Sequence, residues 1–183
     1  MRNLIKIIIT SVCLTMCLTS CGQNKISSNV RFFENTKAYD LAIAVEKGDL
    51  FQIEKIVMRN KALLNITSSS GSNVLTLSLI LNKFESFKKL LELGADPNFI
   101  NPYSKYSVLI ESCRYFGSSN DWIEDNRYAE LLLRYGANPN YGVEHDFVDG
   151  NGVRIVGTSP IFKASRLSLS LVKLLLSYHA KTD

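Results

Sequence analysis

From about Ala38 onward, apolar residues recur at helical spacing in short blocks separated by turn residues, and the blocks come in pairs. Leu41, Ile43, Ala44 and Val45 predict a helix, Gly48-Asp49 a turn, and Ile53, Ile56 and Val57 a second helix. Leu75, Leu77, Leu79 and Ile80 open the next pair, which Phe84, Phe87, Leu90 and Leu91 complete. Val108, Leu109, Ile110 and Cys113 open a third, completed by Ala129, Leu131, Leu132 and Leu133. Ile161, Phe162, Ala164 and Leu167 open a fourth, and Leu171, Val172, Leu174, Leu175 and Leu176 close it. The pattern predicts an all-α chain of about four helix pairs.

A phrase returns with the helices. Gly94-Ala95-Asp96-Pro97-Asn98 follows Leu90-Leu91, and Gly136-Ala137-Asn138-Pro139-Asn140 follows Leu131-Leu132-Leu133. Each phrase has the chemistry of a helix stop. Glycine adopts the left-handed conformation without strain, the small Ala lets a neighbouring unit approach, Asp or Asn bonds turn amides, and proline blocks continuation. His179 stands in place of the glycine in the fourth unit. The distances from Leu41 to Leu75 and from Leu75 to Leu109 are both 34 residues. Reuse of a whole supersecondary unit implies a stacked fold that binds through its surface.

Ser159-Pro160-Ile161-Phe162-Lys163-Ala164 is similar to the Thr-Pro-Leu-His-x-Ala opening of ankyrin repeats, and the Gly-Ala-Asp/Asn-Pro-Asn closures are the other hallmark of that family. Ser107 to Ser112 and Asn73 to Ser78 keep the opening's shape less well. These phrases argue against a tetratricopeptide array or an ordinary helical bundle. The chain thus resembles an ankyrin-repeat solenoid with β-hairpin fingers over residues 38–183, with repeats near 38–70, 71–103, 104–141 and 157–183 and a hairpin insertion at 142–156. In that family, fingers and first helices line a concave recognition face, so the resemblance implies a non-catalytic protein-binding module.

The N-terminus reads differently. Arg2 and Lys6 precede an apolar run from Ile7 to Leu18, followed by Thr19 and Ser20, the order of a secretory signal over residues 1–20 and too short to span a bilayer comfortably. Leu18-Thr19-Ser20-Cys21 resembles the lipobox of bacterial lipoproteins, in which the cysteine thiol receives a diacylglyceryl group before cleavage. Cys21 would then be the lipidated N-terminus of a segment, residues 21–37, whose first half reads as a flexible tether to the membrane, with Phe32 and Phe33 packing on the first helix. Several acyl chains hold a protein on a membrane without crossing it. Gly22 follows Cys21, where Asp would signal inner-membrane retention in enteric bacteria, so the resemblance implies the outer membrane and its periplasmic face. An ordinary signal peptide and an uncleaved anchor are the alternatives.

Charge and cysteine content narrow the function. Arg2 and Lys6 leave with the signal, lowering the basic count from 21 to 19 against 17 acidic residues, and a balance so even makes no case for nucleic acid. Cys13 and Cys17 leave too, so Cys113 would be the one remaining thiol, allowing no intramolecular disulfide. It lies in an apolar-periodic stretch, which predicts burial. Two histidines and one such cysteine assemble no zinc site, and there is neither a Gly-rich phosphate loop nor a serine elbow. Neither a cofactor nor a small-molecule substrate is expected. Asp146, Asp149 and Asn151 lack the order and distal Glu of a calcium loop. His145 and Asp146, adjacent on a strand, point to opposite faces.

Two departures from the period point to individuality. Residues 116–128, from Phe116 to Tyr128, lengthen the third pair's link and carry Trp122, which either folds back on the domain or meets a partner. Tyr141 to Thr158 flanks an Asp149-Gly150-Asn151-Gly152 centre with β-prone runs, predicting a projecting hairpin. Aromatic residues often anchor protein interfaces. This nominates Tyr103, Tyr106, Trp122, Tyr141 and Phe147 as partner contacts, with Glu144, Asp146, Asp149 and Arg154 as charged neighbours. The expected partner is a protein, either a secreted lipase-type toxin neutralised by an immunity protein or an envelope enzyme held by a scaffold. An enzyme reading requires a site within the two insertions.

Overall fold

A computed structural model of the chain describes residues 26–114, 125–149 and 152–182. The signal segment, Cys21, Trp122, Gly150 and Asn151 lie outside the described residues.

Among the described residues, structure begins with a short helix, α1 (Ser28–Arg31), whose N-terminus is capped by the Ser27 side chain accepting from Val30. Val30 and Phe33 lie one helical turn apart and are both buried, and the Ser27 amide donates to Glu46 at 2.8 Å. Phe33 packs into the core as expected, whereas Phe32 is 45% exposed, and the fold starts ahead of Ala38, within the 21–37 segment.

Four helix pairs follow among the described residues. They are α2 (Tyr39–Lys47) with α3 (Leu50–Arg59), α4 (Val74–Ile80) with α5 (Phe84–Glu92), α6 (Val108–Ser112) with α7 (Arg127–Arg134), and α8 (Pro160–Ser165) with α9 (Leu169–Ser177). The pairs stack in chain order: α2 packs on α4, α4 on α6 and α6 on α8, while α3 packs on α5 and α5 on α7. Leucines, valines and alanines from successive pairs make one continuous core.

Each opening phrase works as a helix cap. Asn73, Ser107 and Ser159 accept from the amides of Thr76, Ile110 and Phe162, each such cap being worth about 1 kcal/mol. Pro160 occupies the first turn of α8, where a missing amide hydrogen costs nothing. Each closing phrase reverses the chain. Gly94 and Gly136 have φ of +91° and +86°, and His179 adopts +63° at the same place. The amides of Ala95, Ala137 and Ala180 reach back to the carbonyls of Leu90, Leu132 and Leu175, as in a Schellman closure.

The last residue of the phrase ties one unit to the next. Asn98 donates from Nδ2 to the Gly136 carbonyl at 2.9 Å and accepts from the Asn138 amide at 2.7 Å. Asn140 repeats this pattern one unit later, donating to the His179 carbonyl at 3.2 Å and accepting from the Lys181 amide at 2.7 Å. The turns thus form a ladder along one edge of the stack.

The insertion in the third pair ends earlier than Tyr128. Arg127 and Tyr128 belong to α7, and the Tyr128 ring is fully buried, edge-on to Phe84 and Phe87 at centroid distances of 5.2 and 5.0 Å. Its hydroxyl meets Asn82 Oδ1 at 2.9 Å.

The fingers carry less β-structure than the family pattern suggests. The first is a turn in which the Ser68 amide donates to the Ser72 carbonyl, and the second has a single bridge, Ile100 to Ser107. The third pairs β1 (Phe147–Val148) antiparallel with β2 (Arg154–Ile155), Phe147 opposite Ile155, and adds a bridge from Val143 to Thr158.

Candidate partner-binding surface

The three fingers, residues 66–73, 99–107 and 141–158, form a joined ridge. Asn101 organises the second: its Oδ1 accepts from the amides of Tyr103 and Ser104, while Nδ2 donates to the Ser70 carbonyl of the first finger at 3.2 Å. Two phenols join the second and third fingers. Tyr106 Oη donates to the Val156 carbonyl at 2.8 Å, and Tyr141 Oη donates to the Lys105 carbonyl at 2.9 Å. Lys163 from α8 lies over the Tyr106 ring, its Nζ 5.4 Å from the centroid. Burial raises the Tyr106 phenol above its ordinary value, and the charges of Glu111 and Asp146 add to it. The phenol stays a donor through neutral pH.

The third finger is bent by an uneven ladder. Between its bridge and its paired strands, residues 144–146 face residues 156–157, so the outgoing strand carries the extra residue of a bulge. Gly157 makes the close crossing possible: a Cβ there would lie 3.0 Å from the Val143 carbonyl oxygen and 3.1 Å from that of Glu144. Asp146 pins the bulge, accepting from the Gly157 amide at 2.7 Å and from Arg154 Nη2 at 2.7 Å. These two donors, the Gly157 amide foremost, lower the Asp146 carboxyl below the ordinary Asp range. At the tip, Asp149 accepts from the Val153 amide through Oδ1 at 2.9 Å.

A groove of about 600 Å³ opens at the foot of this finger, lined by Asn138, Asn140, Tyr141, Glu144, Thr158, Ser159 and Phe162 among others. The nominated residues divide around it. Tyr103 is exposed at the second finger's tip, Glu144 faces the groove, and Tyr106 and Tyr141 are half-buried bridges between fingers. Asp146 and Arg154 face each other, Phe147 sits half-buried in β1, and Asp149 holds the tip turn. Trp122 lies outside the described residues.

Sequence reasoning did not nominate Phe162 or the exposed valines Val148, Val153 and Val156. A signal for Phe162 was present: an aromatic stands directly after Ser-Pro-Ile, where the other openings place Ile110 and Thr76.

Cys113 is buried as its apolar period predicts, and burial pushes its thiol up to about 12, the reverse of an activated nucleophile. Among the described residues no cluster of three or more His, Cys, Asp or Glu is placed to hold a metal ion. No helix among them is long and apolar enough to cross a membrane.

Over 126 residues the chain is 28% identical to a putative ankyrin repeat protein of Acanthamoeba polyphaga mimivirus. The similarity supports the ankyrin resemblance. It covers 69% of this chain but spans only 15% of that relative's length. No family model matches the chain. Capped helix pairs, recurrent closures and this similarity agree on a mostly helical chain built from repeated helix pairs.

Proposed function

We propose that the helix pairs are ankyrin repeats in a solenoid and that the chain is a non-catalytic binding protein. It grips its partner along the finger ridge and the groove beside it. The observation that carries this reading is the bracing of the fingers by Tyr106, Tyr141 and Asn101, which leaves Tyr103, Glu144, Val156 and Phe162 displayed on a preformed surface. Preformed recognition elements lose little conformational freedom on binding. A standard protein–protein interface buries about 1,600 Å².

In the same reading the protein is lipid-anchored through Cys21 and faces the periplasm, on the strength of the charged, apolar and small-residue order that ends in Leu18-Thr19-Ser20-Cys21. The partner we favour is a secreted antibacterial lipase-type toxin, since lipidation would station an inhibitor at the membrane under attack. Holding an endogenous envelope enzyme is the rival role.

Deletion of the gene followed by competition against toxin-delivering sibling cells tests the immunity role, with loss of protection expected. Survival equal to that of the parent strain overturns it. Cys21→Ala tests the anchor separately: release from membranes and loss of acyl mass are expected, and retention of both refutes lipidation.

A further inference from the structure

Two exposed side chains on α3 break the chemistry of the repeat. Phe51 is 70% and Met58 75% exposed, and they stand two turns apart on one side of the helix, away from the buried Ile53 and Val57. They fall 34 residues before Glu85 and Glu92, the spacing from Leu41 to Leu75. Counted back from the carbonyls of Leu90, Leu132 and Leu175 that accept the closing bonds, the later units place Glu85 and Glu92, Arg127 and Arg134, and Ser170 and Ser177 at these two positions, all exposed. The positions face water throughout the stack, so their exposure on α3 owes nothing to its being an end unit. Only the first unit makes them apolar.

The charges beside the pair differ between its two flanks. Lys55 and Arg59, four and eight residues after Phe51, lie on one. They share a groove with Asp40, Lys47 and Asp49, and Asp49 is engaged as the cap of α3, accepting from the Gln52 amide at 3.0 Å. On the other flank Glu54 pairs with Lys89 at 2.9 Å, and Lys88 stands between Glu85 and Glu92. Cations therefore adjoin Phe51 and Met58 on the first flank, and the nearest carboxylate on the second is already paired.

The start of the fold lies near this helix. Glu46 accepts from the Ser27 amide at 2.8 Å and precedes Phe51 by five residues, across the Gly48 turn. Five residues span at most about 18 Å, and the six steps from Cys21 to Ser27 at most about 22 Å, whatever their conformation. An acylated Cys21 would hold the first unit, and α3 with it, within reach of the bilayer surface.

We propose, resting on that lipid anchor, that the Phe51–Met58 side of α3 is a second membrane contact and lies in the phospholipid surface. The two apolar side chains enter the boundary between headgroups and acyl chains, and Lys55 and Arg59 reach lipid phosphates beside them. Because α2 packs on the buried side of α3, this seating turns the first helices and the finger ridge away from the bilayer.

The test uses the full chain, isolated with its acyl anchor and reconstituted into vesicles of phosphatidylcholine and phosphatidylglycerol. A photoreactive phenylalanine analogue replaces Met58 or, as the control in the same register, Arg134, and mass spectrometry reads phospholipid adducts after illumination. An adduct is expected at 58 and not at 134. Phe51→Glu should abolish it, and Lys55→Gln should lower it about fivefold, the contribution of one basic residue near an anionic surface. Both side chains are exposed, so the thermal midpoint should hold in each variant.

Equal adducts at 58 and 134, or none at 58, overturn the proposal. So does a cross-linked second copy or, in the source cells, a protein adduct at 58 that Phe51→Glu removes. Intact mass reads acylation of Cys21 separately. Where Cys21 bears no acyl chain, a lipid with a maleimide headgroup holds the chain through a thiol ahead of Ser27, Cys113 being buried, and the same adducts decide the α3 face. The anchor and the face thus fail independently.

Discussion

Removing the two bridging hydroxyls, with Tyr106→Phe and Tyr141→Phe together, should loosen the third finger while leaving the helix pairs intact. Each hydroxyl donates to a backbone carbonyl, Val156 at 2.8 Å and Lys105 at 2.9 Å, and neither substitution changes ring volume appreciably. An intramolecular hydrogen bond nets about 0.5–1.5 kcal/mol, and these lie at the lower end because water can reach the freed carbonyls. Together they amount to about 1–2 kcal/mol of local opening free energy, or roughly 5–30-fold in the closed-to-open ratio. Hydrogen exchange reads this directly. The Val143 amide, bonded to the Thr158 carbonyl at 2.8 Å, should exchange faster by that factor, while amides of α4 and α5 should not change. Because burial raises the Tyr106 phenol, its bond is complete below the ordinary tyrosine value of about 10 and fades only as pH climbs through the higher folded value. Unchanged exchange at Val143 in the double variant would refute the bracing of the fingers.

Asn98→Ala and Asn140→Ala should each lower stability by about 1–2 kcal/mol, since each removes two bonds to the next unit's turn, and thermal unfolding should show it. Tyr128→Phe should cost about 1 kcal/mol for the lost bond to Asn82. Tyr128→Ala should cost about 3–5 kcal/mol through the cavity left between Phe84 and Phe87, and denaturant midpoints separate the two outcomes. Asp146, held below its usual range by Gly157 and Arg154, should lock the bulge above the ordinary Asp value and release it as pH falls through the lower folded value. The Gly157 amide resonance should follow that acid transition and lose it in Asp146→Ala.

Most of the helical framework was legible from local chemistry, because apolar period, caps and closures act within a few residues. Ser107 and Ser159 cap the helices that their phrases announce, and Gly94 and Gly136 turn left-handed where the helices stop. What escaped depends on stacking. Nothing near Asn98 says that its amide will span to Gly136, nor does anything near Tyr106 point to Val156, fifty residues on. Tyr128 read as the end of an insertion because its burial depends on Phe84 and Phe87 of the preceding unit. The short helix α1 was hidden by a polar segment whose two buried residues, Val30 and Phe33, are too few to set a period. The hairpin centred on Asp149 and Gly152 was legible, but the bulge that shortens its strands depends on the Asp146 contact with Gly157 across the finger.

Site-specific photo-crosslinking in the source cells tests most directly whether a partner is held along the finger ridge. A photoreactive phenylalanine analogue would replace, one at a time, Tyr103 on the second finger, Phe162 beside the groove and Met58 on α3, all exposed. One partner band shared by positions 103 and 162 and absent at 58 is the predicted result. A partner captured from position 58 alone, with positions 103 and 162 silent, would contradict the finger surface as the binding site.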